Sequence, residues 1–154
     1  MTGASRGPRG VNLIQGEIIT LAALAARTVG ANGTAAIING ERRRYLVICA
    51  ITASLTDAAD TLDVYVDFSL DNVTWYNAIH FTQQAGNGAA RVEFAVLDTA
   101  NPGAVVFNIT ADAAAGGARP ALFGPYMRAR WAIADGAPGA GDSAHTFSVL
   151  VYAV

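Results

Sequence analysis

The chain has 154 residues, of which 53% are hydrophobic and only 14% are charged, and its formal net charge is −2. That length suits one domain with a substantial core, whereas an average globular protein has about 25% charged residues. The low charge therefore predicts a surface that is partly covered by other chains, since monomers rarely expose large apolar patches. No apolar run approaches the ~18 residues of a membrane helix, so we expect a soluble protein.

Six of residues 1–10 are Gly, Pro or Arg, and apart from Met1 and Ala4 the apolar side chains of residues 1–16 begin at Val11. Such a segment cannot supply a core, so we predict an extended N-terminal arm over 1–16 and a single β domain over 17–154. We expect the arm to contact another subunit through Arg6, Arg9, Val11, Leu13 and Ile14.

Residues 17–29 carry mixed signals. The run Leu-Ala-Ala-Leu-Ala-Ala favours a helix, whereas Ile18, Ile19, Thr20 and Val29 favour a strand. We predict a strand, because the rest of the chain has the alternation of strands.

The strands that follow are predicted from apolar residues that recur at every second position. The sets with this spacing, apolar except for Asn77, are Tyr45, Val47, Cys49 and Ile51; Leu62, Val64, Val66 and Phe68; Val73, Trp75, Asn77, Ile79 and Phe81; Ala90, Val92, Phe94 and Val96; Val105, Phe107 and Ile109; and Met127, Ala129, Trp131 and Ile133. Asp71-Asn72 predicts a tight turn with positive φ, and the last strand runs from His145 to Val154. The pattern predicts an all-β fold, an antiparallel β-sandwich or jelly-roll-like barrel, with both tryptophans in the core.

Residues that could support chemistry are few. His80 and His145 lie in no metal-binding spacing, no Gly-x-Ser-x-Gly motif occurs, and Cys49 lies on the apolar side of its strand. Asp57, Asp60 and Asp63 could offer oxygens to Ca²⁺, but they lack the Gly and the terminal Glu of a calcium loop. We therefore expect no enzyme, no cofactor, no metal and no small-molecule substrate.

The charges are unevenly distributed. Residues 1–50 carry a net charge of +4 and residues 51–154 a net charge of −6. Arg42, Arg43 and Arg44 could touch phosphate, but they stand beside an acidic body, so we expect a subunit contact and no nucleic acid.

Two like-charged pairs lie further along the chain. Asp63 and Asp67 share one strand face, and Arg128 and Arg130 share another. We expect these pairs to meet, either across one sheet or across a subunit boundary, where Arg128 and Arg130 would be assembly contacts.

One block of sequence is the hairpin pattern Ser69-x-Asp71-x-x-x-Trp75, and a second combines Gly124-Pro-Tyr-Met-Arg-Ala-Arg130 with Thr146-Phe-Ser-Val149. Both blocks resemble small structural proteins of tailed bacteriophages. The resemblance implies a virion protein made in the host cytoplasm. With the arm and the size, it suggests a capsid decoration (cement) protein that forms a homotrimer on a major capsid protein and stabilises a phage head.

Two alternatives remain open at this stage. One is a tail or head–tail connector component. The other is a carbohydrate-binding β-sandwich module, since the same hairpin also resembles discoidin-type sandwiches, although Asn72 stands where their turn usually has Gly and their closing cysteines are missing here.

Overall fold

The computed structural model describes residues 16–38, 44–54, 57–98, 108–120, 124–136 and 144–154. The predicted arm, apart from Gly16, lies outside these residues. Of the strand predicted over 104–110, residues 108–110 are described and are not in a strand.

The described residues form a sandwich of two antiparallel sheets without helices, as the sequence predicted. Sheet A has the strand order β1-β11-β4-β8, and sheet B has the order β2-β10-β5-β6-β9, with β3 paired to β10 and β7 to β5. The strands are β1 (Glu17–Arg27), β2 (Ala31–Asn32), β3 (Ala36–Ile37), β4 (Arg44–Ser54), β5 (Thr61–Ser69), β6 (Tyr76–His80), β7 (Gln84–Ala85), β8 (Arg91–Asp98), β9 (Gly117–Ala118), β10 (Tyr126–Ala134) and β11 (His145–Ala153).

The strand predicted within 17–29 is present as β1. It pairs antiparallel with β11 from Glu17 opposite Ala153 to Arg27 opposite His145, with register shifts around Ala22. Backbone pairing along the sheet edge therefore outweighs the helical propensity of the Leu-Ala-Ala repeat.

The core lies between the two sheets and contains the predicted inward sets of β4, β5 and β10, together with alternate residues of β11. Its largest fully buried apolar side chains are Tyr45, Phe147, Leu62, Ile79, Leu97 and Met127. Trp131 lies on the core side at its margin, where its indole N–H donates to Val29 O at 3.0 Å and its ring packs edge-on against Phe147.

The face predicted for the β6 segment is wrong in part, because β6 contains a bulge. Val66 faces Ile79 and Asp67 faces Asn77, so Ala78 is an extra residue on β6. The bulge shifts the alternation by one position. Ile79 and Phe81 are buried as predicted, but Asn77 faces outward and Trp75 packs outside the core, beneath Arg128.

The apolar alternation of β8 is present, but it faces the opposite way from the core. Leu97 lies opposite the buried Tyr45 and points inward, so Val92, Phe94 and Val96 point outward. Val92 is 69% exposed and Phe94 70% exposed.

The predicted turn at Asp71-Asn72 joins β5 to β6. The Asp71 carboxylate accepts hydrogen bonds from the backbone N–H of Thr74 at 2.7 Å and of Val73 at 2.9 Å, and from the Ser69 hydroxyl at 2.9 Å. These bonds hold the pKa of Asp71 well below its usual range. Asn72 has the positive φ, 60°, that the turn requires.

Asn72→Val should destabilise this turn, because a β-branched residue in the left-handed region costs about 1–2 kcal/mol. The free energy of unfolding, measured in urea, should fall by that amount. Asn72→Gly should leave it within about 0.5 kcal/mol, and equal losses in the two variants would contradict the role of the positive φ.

Candidate assembly surfaces

The outer face of sheet A is formed by three cross-strand rows of side chains. The rows follow from the registers of β1 with β11, of β11 with β4 and of β4 with β8. We call this surface the apolar face; its members are Ile18, Tyr152, Leu46 and Val96 in the first row, Thr20, Leu150, Ile48 and Phe94 in the second, and Ser148, Ala50 and Val92 in the third.

No member of the apolar face is charged, and its only polar side-chain groups are three hydroxyls. The surface is most open at its two margins, where Ile18 and Phe94 are each 70% exposed. The next row holds an ion pair, Arg44 Nη2 to Asp98 Oδ2 at 2.9 Å. An apolar centre with a charged margin is the arrangement of a protein–protein interface.

Strands β4 and β11 explain why this face is apolar. Their near-continuous apolar runs place apolar side chains on both sides of the sheet, which is typical of strands covered on both faces. Antiparallel sheets with one solvated face instead alternate apolar and polar residues. Sequence reasoning did not locate this surface, although the low charge predicted that some surface would be covered.

A second open feature, which we call the edge groove, runs along the flank of the sandwich between β8 and β9. It has a volume of about 370 Å³ and is bounded by residues 79–82, 92–96 and 116–118. One end is closed by Asp98 N–H donating to Pro120 O at 3.0 Å. The other end is closed by Thr82 N–H donating to the Glu93 carboxylate at 3.0 Å.

The outer face of sheet B is polar and internally paired. Asp67 is 2% exposed and lies between Arg130 Nε at 2.9 Å and Arg128 Nη2 at 3.5 Å, with Asn77 Nδ2 at 3.2 Å. The expected pairing of acids with arginines therefore occurs within one sheet for Asp67. Asp63 instead contacts His80 Nε2 and Gln83 Nε2, each at 2.9 Å.

Stacked side chains attach residues 111–119 to this polar face. The Arg130 guanidinium lies 3.9 Å from the centre of the Tyr65 ring, and Tyr65 stacks on His80 at 4.2 Å. His80 Nδ1 lies 2.9 Å from Ala113 O, and Arg119 Nη1 donates to Asn77 O at 2.9 Å. His80 is thus a buried residue whose two ring nitrogens both have partners within the chain.

The predicted assembly residues fall into three groups. Arg6, Arg9, Val11, Leu13, Ile14, Arg42 and Arg43 lie outside the described residues. Arg44 lies at the margin of the apolar face, so the structure places it beside a candidate contact. Arg128 and Arg130 are partly exposed while bound to Asp67, and their role as assembly contacts stays a prediction.

Asp67→Ala should cost about 3 kcal/mol of unfolding free energy, because it leaves two arginines without a buried partner. In a double-mutant cycle with Arg130→Ala, the two changes should couple by about 1–3 kcal/mol. Asp112→Ala removes the exposed partner of Arg130 at 2.8 Å and should cost at most about 1 kcal/mol. Additive losses from Asp67 and Arg130 in chemical denaturation would contradict the network.

His145 is fully buried at the start of β11. Its Nδ1 lies 3.1 Å from the Ser54 hydroxyl, and its Nε2 has no hydrogen-bond partner among the described residues. Burial lowers the pKa of His145, and the charge of Asp60 offsets part of this effect. The folded protein therefore favours the neutral imidazole.

His145 should make stability fall in mild acid. Below the ordinary histidine pKa of 6.5 the unfolded chain binds a proton that the folded chain resists, so stability is complete above that pH and declines below it. Thermal melting between about pH 7.5 and about pH 5.5 should show this loss, and His145→Asn should flatten it. An unchanged slope in the variant would assign the pH dependence to other groups.

The other residues considered for chemistry have structural surroundings. Cys49 is buried, and burial, followed by the charge of Glu93, raises the pKa of its thiol to about 12. The Asp60 carboxylate accepts a hydrogen bond from Gly136 N–H at 3.0 Å. Within the described ranges, no group of three or more His, Cys, Asp or Glu side chains could hold a metal ion.

Comparisons with protein-family models, curated proteins and solved structures found no match. Among the described residues, no helix is long and apolar enough to cross a membrane. The surfaces themselves are therefore the basis for a functional proposal.

Proposed function

We propose that the chain is a non-enzymatic structural subunit of a phage virion, a decoration protein that forms a homotrimer on a major capsid protein and stabilises the head. The observation that supports this proposal is the apolar face, an uncharged sheet surface whose outer members are exposed in the isolated chain. Its function is then to bury that surface against neighbouring subunits.

The dimensions of the face suit this role. Four strands about 4.8 Å apart and three rows about 7 Å apart give a surface of about 400 Å². A stable interface buries about 800 Å² on each partner, so the face would supply about half of one. The adjoining edge groove and the Arg44–Asp98 margin extend the contact.

The chemistry of the face also limits its partners. Phosphates and acidic partners are bound by Arg and Lys, and none lies within the three rows. Packing side chains against another apolar surface is the interaction that such a face favours.

The first sequence block that resembles phage structural proteins meets the Gly124–Arg130 part of the second block at sheet B, whereas Thr146–Val149 lies in β11 of sheet A. The Arg128 guanidinium of the second block lies 4.2 Å from the centre of the Trp75 ring of the first. Arg128 covers one side of the Trp75 ring, so a sugar could stack only on the other side.

Phe94→Asp should disrupt assembly without unfolding the chain. A carboxylate carried into the contact costs several kcal/mol, so self-association should weaken by at least about 100-fold. Because Phe94 is 70% exposed, unfolding free energy should change by less than about 1 kcal/mol. Val73→Asp is the matched control, since Val73 is 79% exposed but lies in the β5–β6 turn, outside the face.

Mass photometry should find the wild type and Val73→Asp at three times the 15.9 kDa chain mass and Phe94→Asp at one. Phage heads stripped of decoration should regain heat resistance with the first two proteins only. A wild-type chain that is monomeric at all concentrations and does not bind heads would overturn the proposal. Binding to tails or connectors instead would move the protein to another part of the virion.

A further inference from the structure

The outward edge of β8 carries backbone groups aimed into the edge groove. Leu97 of β8 pairs with Tyr45 of β4. The next residue of β8, Asp98, donates its N–H in the opposite direction, outward to Pro120 O. Because backbone groups alternate between the two sides of an antiparallel strand, Val92, Phe94 and Val96 also direct their N–H and C=O groups outward. Among the described residues, β8 is the last strand of sheet A on this side.

The edge groove has the shape of a slot for one more short strand. β8 borders the groove with the five residues 92–96. The far wall contains Gly116, Gly117 and Ala118, so no large side chain of these three residues fills the groove. Ile79 and Phe81 form an apolar floor.

We propose that residues 11–15 of a second copy of this chain add to β8 as the fifth strand of sheet A. The inference rests on the proposed function and names the contact that would link its subunits. The segment Val11-Asn-Leu-Ile-Gln15 has the required length and alternation. Val11 and Leu13 would enter the groove, and Ile14 would continue the apolar face beside Phe94.

The donor must be another copy, because the chain's own arm is too short. β1 and β8 are the opposite edges of sheet A, so a strand added to β8 lies about 19 Å from β1. Leu13, at the centre of the donated segment, is three residues from Gly16 and reaches at most about 11 Å. Passing each arm to the next subunit also gives a closed ring, which is compatible with a trimer.

The test is disulfide cross-linking in the full-length chain with Cys49→Ala. Ile14→Cys is combined in turn with Val92→Cys, Phe94→Cys or Val96→Cys, because a same-face pair on neighbouring strands brings Cβ atoms to about 5 Å. At least one pair should form an intermolecular disulfide, seen as chain-linked species on non-reducing gels. Ile14→Cys with Thr20→Cys, on the opposite edge of the same face, is the control and should form no intermolecular link.

A substitution that changes the backbone of β8 provides an independent test. Val96→Pro removes one outward N–H but none of the N–H groups that pair with β4, and proline is tolerated on such an edge. It should lower the yield of the Ile14–Phe94 or Ile14–Val92 link about tenfold. Val96→Thr keeps the N–H and should leave the yield unchanged.

The possible failures are distinguishable. A link formed within one chain, or an oligomer that forms without any link to β8, would overturn the arm inference and leave the proposed function standing. Insensitivity of the link to Val96→Pro would also overturn strand addition. A chain that stays monomeric at all concentrations and does not bind heads would remove the proposed function itself.

Discussion

Sheet A has two apolar faces, and only one of them can pack against sheet B. Side chains alternate along a strand, so the continuous apolar runs of β4 and β11 place Val47 and Val149 in the core and Ile48 and Leu150 outside it. Polar substitutions at those outer positions would have made a soluble face without disturbing the core. The sandwich therefore has a second apolar surface that the described part of the chain leaves uncovered, and the exposed residues of β8 form one margin of that surface.

The outer face of sheet B, unlike that of sheet A, is covered by residues of the chain itself. Its outer side chains include the buried Asp67, which needs partners because an unpaired charge is costly to bury. Arg128 and Arg130 supply them from the neighbouring strand, and residues 111–119 cover the rest. One face is thus closed by a polar network within the subunit, while the opposite face has no such cover among the described residues.

The sequence predicted the β class and most inward positions, because alternation specifies which residues share a face. It could not predict which residues of β6 face inward, because the extra residue Ala78 is recognised only from the partners of Val66 and Asp67 on the neighbouring strand. It also could not predict which face of β8 points into the core, because both faces carry apolar residues. The pairing of Leu97 with the buried Tyr45 determines that orientation. The apolar face was missed for the same reason: alternation groups residues by face without showing which face is covered.

The outer edge of β8, with which no other described strand pairs, is a physical problem for a chain that has not yet met a partner. An open strand beside an apolar surface favours aggregation, and natural proteins usually protect such edges with charges, bulges or short length. Here the edge is short, since Pro120 and Thr82 close its two ends, yet no charge lies on its outer face between Val92 and Val96. A donated strand would satisfy the backbone groups and enlarge the apolar contact in one step. Strand addition and burial of the apolar face should then be cooperative, because either contact orders the donated strand and the other contact needs that strand in the same ordered position.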